Sequence, residues 1–190
     1  MLLRPSIWRK GVLAYRAMTS YIFPQCEEDG MIKAGEQLPD VAFNVPTTEG
    51  MKQLRTGDVF GGKTVALFAV PGAFTPTCSA KHLPSFKEKA GELRAKGVDA
   101  IACTSVNDHF VMSAWARDQG CVDEIVMLSD GSADFAKAIG LDADFSKFGM
   151  GARSKRYSMI VKDGVVETIN VEEPGEYKVS SAEHMLTQLS

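Results

Sequence analysis

The apolar positions of the chain group into short runs, most of them strand-sized. Val41, Phe43 and Val45 alternate with Ala42 and Asn44, the period of a strand with one buried face. Thr47 to Gly50 reads as a turn and Met51 to Leu54 as a short strand. The run from Lys63 to Val70 is apolar almost without a break, which predicts a strand in a sheet covered on both faces. Val98 to Val106 repeats that character, and Ile125 to Leu128 is a shorter version of it. Tyr157 to Val161 and Val165 to Val171 flank Asp163-Gly164, a pair suited to the positive φ angles of a tight hairpin turn.

Helix signals fill the gaps. Thr75 reads as an N-cap, with Pro76 at the first helical position, where a missing N–H does no harm. That helix runs to about Ala95; Pro84 inside it predicts a kink or a break. Cys78 falls in its first turn. Asp108 caps a helix reaching about Asp118, and Ser132 to Ile139 forms a short one. Ser180 with Glu183 makes a capping box for a final helix ending near Leu189. Strands alternate with helices, then give way to a hairpin and a terminal helix. The implied fold is an α/β sandwich built on a mixed sheet.

With 190 residues, 45% hydrophobic and 24% charged, the chain suits one globular domain with or without a tail. No apolar run approaches a membrane span. A net charge of −3, with no basic stripe in the body of the chain, lacks the footprint of nucleic-acid binding. The charge is unevenly placed. Arg4, Arg9, Lys10 and Arg16 all precede the first acidic residue, Glu27, and lie among Leu2, Leu3, Ile7 and Trp8. An arginine-bearing, acid-free start with spaced apolar residues is the pattern of an organelle transit peptide. Residues 1–23 are therefore expected to direct a domain over 24–190 to the mitochondrial matrix. The alternatives are a disordered basic tail on a cytoplasmic protein, or an extension upstream of a start at Met18.

Cys26, Cys78, Cys103 and Cys121 form no C-x-x-C pair and no zinc-finger spacing, so free thiols in a reducing compartment are the natural reading. Cys78 has the setting of a reactive one. The thiolate is the nucleophile, yet a free cysteine with a pKa near ~8.5 is only a few per cent ionised at neutral pH. A helix N-terminus favours the negative form by only about 0.3–1 kcal/mol, whereas lowering a pKa by roughly 2 units takes about 2.7 kcal/mol. A cation is needed as well. Lys81 and His82 lie one turn further on, so it should come from elsewhere in the fold.

The stretch Pro71-Gly-Ala-Phe-Thr-Pro-Thr-Cys78 resembles the active-site loop of the peroxiredoxin family. With Cys-Ser-Ala-Lys-His-Leu-Pro84 following, it is similar to the peroxiredoxin-5 or type II plant branch. Ser105-Val-Asn-Asp108, Trp115-Ala and Lys155-Arg-Tyr-Ser-Met159 agree, and the resemblance covers about residues 31 to 190. It implies a thioredoxin-like fold, a mixed central sheet flanked by helices, and a thiol-dependent peroxidase with no metal and no cofactor. Carried over by position, Cys78 corresponds to the peroxidatic cysteine and Thr75 to the hydroxyl that bonds thiolate and peroxide. Pro71 corresponds to the wall against water and Arg156 to the arginine that stabilises the thiolate and the transition state. Sulfenic acid on Cys78 would follow attack on hydrogen peroxide or an organic hydroperoxide.

The animal peroxiredoxin-5 proteins carry a resolving cysteine before the last helix, where this chain reads Glu176-Tyr-Lys-Val-Ser-Ser181. The plant type II proteins carry one 25 residues after the first, which is Cys103 here. The other route is a one-cysteine cycle reduced by glutathione, glutaredoxin or thioredoxin. A homodimer is the family's expectation.

Blander readings stand beside these. Cys103 fits a core thiol, Cys121 a surface thiol, and Cys26 an incidental residue near the tail junction. Arg153, Lys155 and Arg156 could be a solvated basic patch. Cys78 and His82 have the spacing to share a metal, although packing or a hydrogen bond near the site entrance suits His82 better. Rival functions are a disulfide reductase, which lacks its C-x-x-C, a cysteine hydrolase, which lacks a matching histidine motif, and a non-enzymatic redox sensor or holdase.

Overall fold

A computed structural model describes residues 30–47 and 49–189. Residues 1–23 and Cys26, with the targeting expectation attached to them, lie outside the described residues. The strands are β1 (Ala42–Thr47), β2 (Gly50–Arg55), β3 (Thr64–Ala69), β4 (Ala100–Ser105), β5 (Val126–Ser129), β6 (Asp142–Asp144), β7 (Ala152–Ser154), β8 (Tyr157–Lys162) and β9 (Val165–Val171). The helices are α1 (Thr56–Phe60), α2 (Leu83–Glu88), α3 (Ala90–Ala95), α4 (His109–Asp118), α5 (Asp134–Ala138) and α6 (Ala182–Gln188). A π-helical turn, Cys78–His82, leads into α2. Among the described residues no helix is long and apolar enough to cross a membrane.

Seven strands form one mixed sheet in the order β2-β1-β5-β4-β3-β8-β9. The central β3, β4 and β5 are parallel, whereas β8 runs antiparallel to β3. The unbroken apolar run of β3 is explained by its two covered faces. Ala66, Phe68 and Val70 pack with Leu83, Phe86, Leu93, Met112, Trp115 and Met185, from α2, α3, α4 and α6. Val65, Leu67 and Ala69 pack on the other face with Val59, Phe60 and Phe135, from α1 and α5. A two-stranded ladder, β6-β7, stands apart from the main sheet.

Local chemistry sets most of the boundaries. Asp163 and Gly164 take φ of 48° and 79° in the β8-β9 turn, the doubly left-handed geometry that this pair tolerates. The Asp108 carboxylate accepts the Val111 N–H and caps α4. Pro84 lacks an N–H, and its ring crowds the carbonyl four residues back. The chain answers with the wider π turn just before it, where the Leu83 N–H reaches the Cys78 carbonyl, and with a second interruption at Lys89. The last helix differs from expectation by one residue. Ser181 is its cap, accepting the His184 N–H, because the Ser180 side chain is turned inward onto Glu172.

The register of the sheet carries one consequence for the site. β3 and β8 pair Ala69 with Tyr157. One step further along that register, Arg156 stands level with Val70, on the face opposite Tyr157. That is the face on which Cys78 is buried.

Candidate active site

β3 ends at Ala69 and the chain turns sharply over Pro71–Thr75 before the helix begins at Pro76. Phe74, at the tip, takes a φ of 61°, a left-handed conformation uncommon for an aromatic residue, and is 52% exposed. The turn is held from a neighbouring strand end. Asn107 Oδ1 accepts the Ala73 N–H at 3.0 Å and the Ser105 hydroxyl at 2.8 Å. A Cβ at Gly72 would come within 3.2 Å of Thr75 Cγ2 and 3.3 Å of Met150 Cε, so a side chain here would need both neighbours to give by a few tenths of an ångström. Arg153 braces the same region, donating to the Val106 carbonyl at 2.7 Å and the Met150 carbonyl at 2.9 Å. It is tied to backbone and is not part of a solvated basic patch.

Cys78 is fully buried. Its sulfur lies 2.8 Å from Thr75 Oγ1 and 3.5 Å from Arg156 Nη2. Thr75 starts the helix as expected, but its side chain faces the sulfur. Its hydroxyl also sits 2.9 Å from the Gly72 carbonyl. One proton cannot serve both acceptors. With Cys78 as a thiol, the S–H can donate to Oγ1 and the hydroxyl to Gly72; with a thiolate, the hydroxyl turns to sulfur. Among the described residues the Cys78 N–H meets no backbone acceptor, as befits a first-turn donor.

The guanidinium is itself held. Arg156 Nη1 lies 3.0 Å from His82 Nδ1, and His82 Nε2 lies 3.0 Å from the Ser180 carbonyl. Arginine has only donors and a carbonyl only accepts, so Nδ1 is the bare nitrogen and Nε2 carries the hydrogen. Burial, and after it the neighbouring Arg156 charge, push the His82 pKa down to about 3, against a weaker opposing effect of the Ser180 carbonyl. His82 is a neutral imidazole of fixed tautomer, packed against Phe68, Phe86 and Tyr177 and buried well inside the entrance. Both of its nitrogens are engaged, and among the described residues no cluster of three or more His, Cys, Asp or Glu could hold a metal.

Pro71 is half-buried at the start of the turn. Cys103 is buried on β4, paired with Phe68 and in the same core cluster as Cys78. Burial, followed by the nearby Cys78 and Cys121, raises its pKa well above the ordinary range. Cys121 is 1% exposed, not a surface thiol; burial pushes its pKa up to about 11 in spite of the Lys87 ammonium. Asn107 lies within the Ser105–Asp108 segment that the motifs included, but the brace of Arg153, the contact by which His82 orients Arg156, and the Tyr177 cover over His82 are features that motif spacing does not reveal.

Comparison with known proteins gives a consistent picture. Residues 33–186 match the Redoxin family. The chain is 49% identical over 162 residues to peroxiredoxin-2E, chloroplastic, of Arabidopsis thaliana, covering 83% of this chain and 69% of that protein. It is 44% identical over 133 residues to peroxiredoxin-2F, mitochondrial, of the same plant, covering 70% and 66%. The crystal structure of reduced Prx3 from Vibrio vulnificus in complex with H2O2 superimposes with a TM-score of 0.81 at 52% identity, covering 84% of this chain and 100% of that one.

Proposed function

Since this chain belongs to the redoxin family, among its peroxiredoxins, and is a thiol-dependent peroxidase with a thioredoxin-like fold, we propose that Cys78 is its peroxidatic sulfur. What supports this is the convergence on one buried sulfur of a helix's first turn, the Thr75 hydroxyl at 2.8 Å and the Arg156 guanidinium at 3.5 Å.

The Cys78 thiolate attacks one oxygen of hydrogen peroxide or an organic hydroperoxide. A sulfur lone pair makes the S–O bond, the O–O bond breaks, and hydroxide or alkoxide leaves with that electron pair and takes up a proton. Sulfur is oxidised by two electrons to sulfenic acid and the peroxide is reduced by two. Arg156 lies where the negative charge moves from sulfur to the leaving oxygen; Thr75 and the free Cys78 N–H donate to the oxygens in line. Pro71 walls the turn from water. No step asks for a metal or another cofactor.

Resolution needs the π turn to open, because Cys78 and Cys103 are both buried. Cys103 lies on a strand paired on both sides and keeps its proton, so it is a poor attacking thiol in this conformation. An external thiol, such as glutathione, glutaredoxin or thioredoxin, meets the opened turn more readily. It forms a mixed disulfide with loss of water, which a second thiol then reduces. Exposed Phe74 and Phe110 support a homodimer through the active-site side, checked by sedimentation of the reduced protein. The basic start of the chain and the mitochondrial relative peroxiredoxin-2F support import into the mitochondrial matrix, with the chloroplast of peroxiredoxin-2E as the competing organelle; sequencing the mature N-terminus and locating the tagged protein check both.

The deciding experiment is Cys78→Ser, with peroxide-dependent thiol oxidation followed. Abolished turnover is expected; a retained rate refutes the assignment of Cys78, and turnover by the parent protein excludes the non-enzymatic sensor or holdase reading. One equivalent of peroxide followed by mass mapping tests resolution. A sulfenic acid or an added thiol on Cys78 is expected, and a bond to Cys103 overturns the external route.

A further inference from the structure

We propose that Glu172 is a positioning residue for the peroxidase reaction, holding through Ser180 the His82 ring that in turn aims the Arg156 guanidinium at Cys78. The inference rests on the reading that Cys78 is the peroxidatic sulfur and Arg156 its cation.

Glu172 follows β9 directly and is a carboxylate with only 8% exposure. Among the described residues it has no ion-pair partner. Its charge is met by donors instead. One oxygen, Oε1, accepts the Lys178 N–H at 2.6 Å, the Ser180 N–H at 2.8 Å and the Ser180 hydroxyl at 2.8 Å. Burial by itself would raise the Glu172 pKa; these donors outweigh it and hold the carboxyl below its usual range. Its own N–H donates to the Arg156 carbonyl at 2.9 Å. The residue therefore ties the strap over residues 173–181 to the very stretch of backbone that carries the guanidinium.

The strap is the lid of the His82 compartment. The Ser180 carbonyl accepts the His82 Nε2–H, which leaves Nδ1 as an acceptor for Arg156 Nη1. The Tyr177 ring lies 5.9 Å from Arg156 Cζ and 5.2 Å from the His82 ring centre. Its hydroxyl donates to Ser85 Oγ at 2.9 Å, and Ser85 donates to the His82 carbonyl at 2.9 Å. From this side the imidazole meets the Ser180 carbonyl and the Tyr177 ring, both on a segment whose Lys178 and Ser180 N–H groups are gathered by one carboxylate. Closing a surface turn does not require a buried charge, which is costly to desolvate. Fixing a carbonyl within hydrogen-bond reach of a catalytic pair does call for a rigid support.

The test uses the full-length reduced protein and two readouts, the second-order rate with hydrogen peroxide and the alkylation rate of Cys78 by iodoacetamide at neutral pH. Glu172→Ala is expected to lower both by about tenfold, and Glu172→Gln, whose amide oxygen still accepts, to recover to within about twofold of wild type. On a His82→Leu background, already slow, Glu172→Ala should cost less than about twofold more, because both substitutions break one chain of contacts. Equal losses on both backgrounds, or a folded Glu172→Ala with the wild-type peroxide rate, overturn the proposal. Should Glu172→Ala fail to fold, Glu172→Asp, whose shorter side chain slackens the strap, is carried through the same cycle with about a threefold loss expected. Arg156→Ala is measured alongside. If it keeps the wild-type rate, the reading of the site fails; if it is slow while the Glu172 variants are fast, only the role of Glu172 fails.

Discussion

His82 makes the protein sensitive to mild acid in a way that can be worked out from its surroundings. Its pKa is about 3 in the folded protein against 6.5 for a free histidine. Between those values the unfolded chain binds a proton that the native state excludes, so stability rises with pH. The contribution is fully present above pH 6.5 and is lost progressively as pH falls toward 3. At pH 5 the unfolded histidine is almost fully protonated and the folded one is not, a difference of RT ln(1 + 10^1.5), or about 2 kcal/mol, of which little is yet present at pH 7. At a urea m-value near 2 kcal/mol/M, the midpoint should fall by about 1 M between pH 7 and pH 5.

The other ionisable groups around the ring are Arg156, just before β8, and Tyr177 of the strap, with Cys78 beyond Arg156 on the ring's own turn and Glu172 behind Ser180. Cys78→Ser in every sample removes the sulfur as a variable. The remaining groups are shared by the parent and a His82→Leu variant and cancel in the comparison. The expected result is that His82→Leu loses about 2 kcal/mol less than its parent between pH 7 and pH 5, whatever its absolute stability. Equal losses in the two proteins would show that His82 is not a buried neutral imidazole, and the tautomer assigned to it would fall as well.

Two further outcomes follow from the geometry. Arg156→Lys keeps the charge but cannot span His82 Nδ1 and Cys78 Sγ with one planar fork, so the peroxide rate should fall by about tenfold to a hundredfold with unchanged secondary structure, measured by stopped flow. Trp115→Phe removes the indole N–H that bonds Ser79 Oγ at 3.0 Å and leaves a small cavity under the π turn; a loss of about 2 kcal/mol in urea unfolding is expected.

The sheet was the most legible part of the sequence. β3 could be read from its unbroken apolar run because both of its faces are covered, and the β8-β9 hairpin because Asp163-Gly164 is chemistry confined to one turn. Asp108 was legible for the same reason, since its cap reaches only to Val111. Signals that depend on distant partners were not. Ser180 and Ser181 are equivalent as caps until Glu172, eight residues away from Ser180, claims the first of them. Cys121 follows a glycine and resembles a loop thiol, yet the segment folds back to bury it, with Lys87 donating to the adjacent Gln119 carbonyl at 2.9 Å. Arg153 and Arg156 stand three residues apart and look alike in sequence; the ladder β6-β7 sends one to backbone carbonyls and the entry to β8 brings the other to a sulfur. Short charged elements such as α1 and β6 carry too few residues for a periodic signal.

The choice of a neutral imidazole beside Arg156 has an electrostatic logic. At 3.5 Å a unit positive charge interacts with a thiolate by about 5 kcal/mol at an effective dielectric constant of 20, against about 0.3–1 kcal/mol from a helix N-terminus. The guanidinium is therefore the larger influence on the charge of Cys78, and whatever orients it must not neutralise it. A carboxylate at Nη1 would hold the fork tightly but partly cancel its charge at the sulfur. A protonated imidazole would repel it and offer no acceptor. A neutral ring with a bare Nδ1 accepts the hydrogen bond and leaves the charge whole, which requires that its other nitrogen be tied to a pure acceptor such as the Ser180 carbonyl. The one carboxylate in this network, Glu172, acts through Ser180 and His82, and its charge is absorbed by N–H and hydroxyl donors instead of by Arg156.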